Sequence, residues 1–274
     1  MTTQNKSAKE LRKPIHPERE GYVKAMKLAN ILGFKYIAKR IMGAKTATGG
    51  PLPINLSLGE YENQILPLKV TEYFIDKASK IILQDCPCRA RCDCQEYDHS
   101  LGCMWLGSAT EHFPLEKWPG AHYATKEEAK EHGRKAYESG LVPQIGRLRG
   151  DAVKYEVADW EDKFMSVCYC CDCCCICTSL KYGPKEIYRL FTRMQGVSVK
   201  VDPEKCTGCE QCASVCMFDG ISIIEGKSHI NLENCKGCGR CAGKCPNKAI
   251  TISIDDPSGM DELIERLENA VDVT

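Results

Sequence analysis

Residues 206–216 read CTGCEQCASVC, and residues 235–246 read CKGCGRCAGKCP. Both runs have the spacing C-x2-C-x2-C-x3-C, and the second repeats the first at an offset of 29 residues. Short apolar, alternating segments precede the runs at 197–202 and 228–232, and others follow at 221–224 and 249–254. This is the pattern of two β–loop–helix–β units related by a pseudo-twofold.

The spacing has a chemical reason. A cubane of iron and sulfide needs four thiolates converging from different directions, and two-residue gaps let successive thiolates wrap one metal core. Gly208, Gly237 and Gly239 permit the tight turns this wrapping needs. In such paired runs the fourth cysteine ligates the other cluster. One [4Fe–4S] is therefore assigned to Cys206, Cys209, Cys212 and Cys245, and the second to Cys235, Cys238, Cys241 and Cys216. Residues 197–254 resemble the bacterial-type dicluster ferredoxin. Met217 departs from the pattern where proline often follows the first run.

Twenty of the 274 residues are cysteine, and they are grouped. Residues 1–85 hold none, five lie between Cys86 and Cys103, and seven crowd into CYCCDCCCIC at 168–177. The opening MTTQNKSAKE has no apolar core of a secretory signal, and no run is long and apolar enough to span a membrane. The expectation is a cytoplasmic, reduced protein whose thiols hold metal rather than disulfides. The 37 Lys+Arg balance 37 Asp+Glu, so nucleic acid is not an expected partner.

The candidate ligands of additional clusters are Cys86, Cys88, Cys94, Cys103, Cys168, Cys170, Cys171, Cys173, Cys174 and Cys175. The order C-P-C-R at 86–89, E-E-A at 127–129, G-L-V at 140–142 and C-Y-C-C-D-C-C-C at 168–175 resembles an N-terminal module of dicluster iron–sulfur proteins from anaerobic bacteria and archaea. That resemblance covers residues 65–254 and implies iron–sulfur electron transfer without fixing a substrate. Cys92 and Cys177 lie outside its pattern and are weaker candidates. If 168–177 is helical, Cys170, Cys173, Cys174 and Cys177 share a face. If it is extended, Cys171, Cys173, Cys175 and Cys177 do. Either way the segment can serve two sites. Structural zinc and a redox dithiol are the competing readings.

Around these thiols, Trp105 and Trp118 are expected to exclude water. Arg89 and Arg91 either balance an anionic cluster or form surface salt bridges. His99, His112 and His122 are nearby, with solvated or core roles favoured over ligation. Thr125 to Glu128 form a capping box that opens a helix ending near Gly140. A helix around Val70–Lys80 and a buried strand at Ile81–Leu83 lead into Cys86.

Residues 1–50 carry 11 Lys+Arg against 3 Asp+Glu. Within them, 18–42 read as an amphipathic helix with Tyr22, Val23, Met26, Ala29, Tyr36, Ile37 and Ile41 on one side. It is expected to dock on the core or on a second subunit, with a membrane surface or an acidic partner as the lesser readings. Residues 44–53 read as a turn-rich linker, and Ser258 starts a C-terminal helix with Leu263, Ile264, Leu267 and Val271 inward.

The resulting expectation is an α+β chain. A basic helical arm (1–50) and a mainly helical, Cys-rich iron–sulfur module (51–196) precede a dicluster ferredoxin domain (197–254) and a C-terminal helix (255–274). The expected function is electron transfer in anaerobic metabolism, with redox proteins as partners in a homo-oligomer or reductase complex. Two alternatives stand beside it. One is a reductase whose Cys-rich module holds an open or non-standard cluster acting on a small substrate or activating a metal cofactor. The other is a metal-storage or assembly protein. No dinucleotide or P-loop fingerprint is present.

Overall fold

The computed structural model describes residues 5–12, 14–31, 36, 48–54, 66–189 and 191–274. A sheet of short strands frames the Cys-rich part: β1 (Thr48–Pro51), β2 (Ile81–Leu83), β3 (Met104–Leu106), β4 (His122–Tyr123), β5 (Val142–Arg147) and β6 (Met165–Cys170). Their spatial order is β1-β5-β6-β3-β2-β4, and every neighbouring pair is antiparallel.

This sheet stands beside the helices of the module and was not expected from sequence. Strands β2, β3 and β4 hold only two or three residues each, too few to show alternation. Strand β5 contains Pro143, a residue that argues against an inner strand because it cannot donate to the ladder. Here its carbonyl still accepts the Leu52 N–H at 2.9 Å. The linker expected at 44–53 is corrected, since Thr48–Pro51 pair with β5. Gly49 lies opposite Gly146, and a Cβ on Gly49 would fall 2.2 Å from the Ile145 carbonyl oxygen. That glycine serves close strand approach, not a turn.

Period two sorts the faces of the sheet. Ile81, Leu83, Met104, Leu106, Met165, Val167 and Tyr169 belong to the main core. Helices cover it: α1 (Glu20–Leu28) lies to one side, α2 (Leu66–Lys77) follows, the short α3 (Pro87–Arg91) leads off β2, and α4 (Lys126–Glu138) packs on α2. On α4 the Thr125 hydroxyl accepts the Glu128 N–H at 3.1 Å, a cap worth about 1 kcal/mol. Ala129, His132, Gly133 and Ala136 form its buried face. The opposite sheet face holds Ile82, Cys103, Trp105 and Cys168 in a second cluster with Phe113, Tyr155 and Phe164. Trp105 is fully buried and stacks on Phe164 at 5.1 Å.

Helices α5 (Arg149–Lys154) and α6 (Lys185–Tyr188) complete this part. Helix α1 buries Val23 and packs against the 3-10 segment Ile176–Tyr182. A turn at Ala29–Asn30 ends it, so the single helix expected over 18–42 is interrupted there. Ile37 and Ile41 lie outside the described residues.

The C-terminal unit runs β7 (Val197–Val201), α7 (Gln211–Ser214), β8 (Ile221–Ile224), β9 (Lys227–Ile230), α8 (Arg240–Lys244) and β10 (Ile250–Ile254). Strand β7 pairs with β10 and β8 with β9. Helix α9 (Ser258–Glu268) buries Leu263 and Leu267 and touches α2 through Glu268, which accepts from Tyr73 at 2.6 Å. No helix among the described residues is long and apolar enough to cross a membrane.

Candidate metal centres

All twenty cysteines are described, and all are free thiols. The two repeat runs fold alike. Gly208 and Gly237 both have φ of 68°, and the N-caps of α7 and α8, Glu210 and Gly239, are both left-handed at 65° and 78°. The turns aim backbone amides at sulfur. Cys206 Sγ accepts from Ser228 N at 3.3 Å, Cys216 Sγ from Gly220 N at 3.3 Å and Cys245 Sγ from Ala249 N at 3.2 Å. Such bonds favour the thiolate that a metal requires.

Cys216, Cys235, Cys238 and Cys241 line one small cavity of about 20 Å³. This is the set expected to hold the second cluster, with Cys216 reaching across from the first run. Burial raises all four thiols, Cys216 to about 12. Cys206 and Cys212 are buried, whereas Cys209 is exposed. Burial opposes the Cys206 thiolate, but amide bonds from Ser228 and Gly208 outweigh it and lower its pKa.

The twelve other thiols gather at the end of the sheet. Strand β6 delivers Cys168 and Cys170, residues 171–175 turn sharply, and the segment Ile176–Tyr182 carries Cys177. The run is thus neither the helix nor the extended strand considered from sequence. Cys170, Cys175 and Cys177 have their sulfurs within 4.8 Å of one another, as do Cys94, Cys173 and Cys174. Within these groups Cys170 and Cys175 are 3.1 Å apart and Cys94 and Cys173 are 3.7 Å apart. Cys88 neighbours Cys175, Cys86 neighbours both Cys88 and Cys103, and Cys103 neighbours Cys168. Cys92 meets Cys174, and Cys171 meets Cys173.

A cavity of about 120 Å³ lies under the sheet edge. Its wall includes Cys86, Cys88, Cys103, Cys168, Cys170, Cys171, Cys175 and Cys177. Bonds from neighbouring thiols, together with burial, push Cys86 and Cys170 far up. Bonds donated by Cys170 and Cys175 pull Cys177 down to about 5, and one from Cys173 pulls Cys171 to about 6. Metal binding to these thiols would displace their protons.

Two guanidiniums are buried beside these thiols. Arg89 is fully buried and donates to the carbonyls of Tyr169 at 2.7 Å and Asp98 at 3.1 Å. Its charge acts on Cys86, Cys170, Cys171 and Cys103. Arg91 instead makes an exposed pair with Glu18 at 2.9 Å. Arg19, which sequence reading passed over inside the basic arm, donates to Cys174 O and Cys88 O, both at 2.7 Å. Arg240 and Asp172 were passed over as well. Arg240 Nη1 lies 3.1 Å from Asp172 Oδ1, and Nη2 donates to Cys170 O at 2.8 Å. A hint existed in their placement inside the two cysteine runs, but the pairing is long-range.

The histidines stand apart from the thiols. His99 faces Asp85 at 3.6 Å, His112 stacks on Trp160 at 3.8 Å, and His122 bonds Glu128 at 3.0 Å. Among the described residues, no histidine belongs to a group able to hold a metal. Trp105 packs with Cys103 and Cys168, and Trp118 lies at the edge of that same aromatic cluster.

Residues 198–246 match the family described as a 4Fe-4S dicluster domain. No curated protein and no solved structure matches the chain. The matched segment and its repeated thiol turns support binding of 4Fe–4S clusters, the class of cofactor used in iron–sulfur electron transfer.

Proposed function

We propose that this is an iron–sulfur electron-transfer protein of anaerobic metabolism, in which two ferredoxin-type clusters exchange electrons with further iron–sulfur in the Cys-rich module. The carrying observation is the seam made by Arg240. This residue sits between Cys238 and Cys241 and bonds Asp172 and the Cys170 carbonyl inside the other cysteine group. Ile54 N also donates to Cys238 O at 3.0 Å. The second run is thereby turned inward, while Cys209 of the first run is exposed, the side from which a redox partner would approach. When bound, the clusters supply one-electron carriers. The chain supplies thiolates, amide donors to sulfur, buried cations and a water-excluding aromatic wall.

The test is an anaerobic preparation of the full chain, assayed for iron and sulfide and titrated with dithionite under EPR. About eight irons from the ferredoxin unit, plus more, are expected. Cys209→Ser should impair one ferredoxin signal and Cys238→Ser the other. A folded chain that emerges colourless and iron-free overturns the reading.

A further inference from the structure

We infer that the twelve thiols of the Cys-rich module form two separate metal sites, an outer cubane site and an inner site that holds an iron–sulfur cluster larger than one cubane. The inference rests on the iron–sulfur reading above and extends it to sites set by contact rather than by sequence order.

The outer site is Cys92, Cys94, Cys173 and Cys174. Three of these sulfurs lie within 4.8 Å of one another, and Cys92 neighbours Cys174. Four thiolates are what one cubane takes, one per iron. The inner site begins with Cys170, Cys175 and Cys177, again within 4.8 Å. Cys88 extends it from Cys175, and Cys86 extends it from Cys88. Cys103 and Cys168 continue the contact on the sheet itself. Cys171 sits between the sites: it lines the inner cavity, and its sulfur accepts Cys174 N at 3.3 Å. Neighbours in sequence therefore part company, with Cys174 outward and Cys175 inward.

Three observations make the inner site more than a pile of buried thiols. The first is room, because the inner cavity of about 120 Å³ is six times the 20 Å³ beside Cys216, Cys235, Cys238 and Cys241. A second is charge: fully buried Arg89 faces the inner thiols, and Arg19 joins the two sites through Cys88 O and Cys174 O. Buried cations that have no carboxylate partner among the described residues need anions, and clusters on thiolates are anionic. Last, Gln144 lines the cavity, is buried, and has neither amide atom bonded among the described residues. An orphaned buried amide is costly, and a sulfide within the cavity would satisfy its N–H.

The test uses the full chain, reconstituted anaerobically with iron and sulfide, as wild type, C94S/C173S and C170S/C177S. Iron, sulfide and zinc are counted and EPR is recorded. Each pair should lose iron that the other keeps, about four per chain for the outer pair and more than four for the inner. Both should retain the ferredoxin signals, which also reports folding. Identical losses from the two pairs, or stoichiometric zinc in place of iron, overturn the division. If a variant fails to fold, the wild type decides: more than about sixteen irons per chain supports the inference, and about sixteen or fewer overturns it. A wild type with about eight irons and both ferredoxin signals sinks this inference alone, whereas an iron-free folded chain sinks the reading beneath it.

Discussion

Arg240 and Asp172 form a buried ion pair, 3.1 Å apart, between the second ferredoxin run and the centre of the CYCCDCCCIC segment. Both side chains are almost completely enclosed, and Tyr97 accepts a further bond from Arg240 at 3.0 Å. Removing one partner strands a charge. Arg240→Met should cost roughly 3–5 kcal/mol in a denaturant melt, and adding Asp172→Leu should recover most of that loss. An Arg240→Met chain as stable as wild type contradicts the role given to this seam.

The left-handed positions of the two runs should respond unequally to substitution. A Cβ at Gly239 would lie 1.8 Å from the Ile54 carbonyl oxygen, so Gly239→Ala must push the N-terminal segment away. A loss above about 2 kcal/mol is expected. Glu210 occupies the equivalent turn in the first run, where its carboxylate meets Lys6 at 2.6 Å in a partly exposed pair. Glu210→Gly should stay within about 1 kcal/mol of wild type, since relief of strain offsets a weak salt bridge. Thermal melts of the two variants side by side measure the difference.

Gln144 should tune a potential without holding metal. Gln144→Leu keeps the volume and removes the amide donor at the inner cavity. Iron content should stay unchanged. The reduced, more anionic state loses a hydrogen bond, so one midpoint potential should fall by on the order of 50 mV in a redox titration. A rise, or no shift in any signal, argues against a sulfur acceptor beside this amide.

Acid stability should depend on His132. Its Nε2 lies 3.1 Å from the Gly102 carbonyl oxygen, and burial lowers its pKa below the ordinary 6.5. A depressed folded value favours the neutral ring. Its contribution is therefore present above pH 6.5 and is lost as pH falls through the folded value. His132→Gln keeps a donor for Gly102 and cannot titrate. Its melting temperature should fall less steeply below pH 6.5 than that of wild type, and parallel slopes would count against the assignment.

Packing at Trp105 is testable by truncation. The ring is fully buried between Phe164 and Tyr155, and its Nε1 donates to Gln84 Oε1 at 2.8 Å. Trp105→Ala should destabilise by roughly 3–5 kcal/mol. Trp105→Phe should lose less, which a denaturant series would show.

Several elements were legible in the residues because their determinants are local. The strands around the two repeat runs, the glycine turns, the capping box at Thr125 and the strand Ile81–Leu83 all depend on neighbours within a few positions. The six-stranded sheet was not legible. Its strands are short, carry apolar residues towards both faces, and include Pro143, so no period of two emerges. Arg19 read as one more cation of a basic arm, yet it is buried against Cys88 and Cys174. Nothing in its sequence surroundings reports carbonyls 69 and 155 residues away.

Sequence by itself determined the chemistry: twenty thiols in three groups, and a repeated spacing that turns the backbone around a metal core. Tertiary structure alone decided which thiols meet. Spacing constrains partners only within one loop, whereas the grouping of Cys94 with Cys173, or of Cys103 with Cys168, is imposed by strand register and by a turn that sends adjacent side chains in opposite directions.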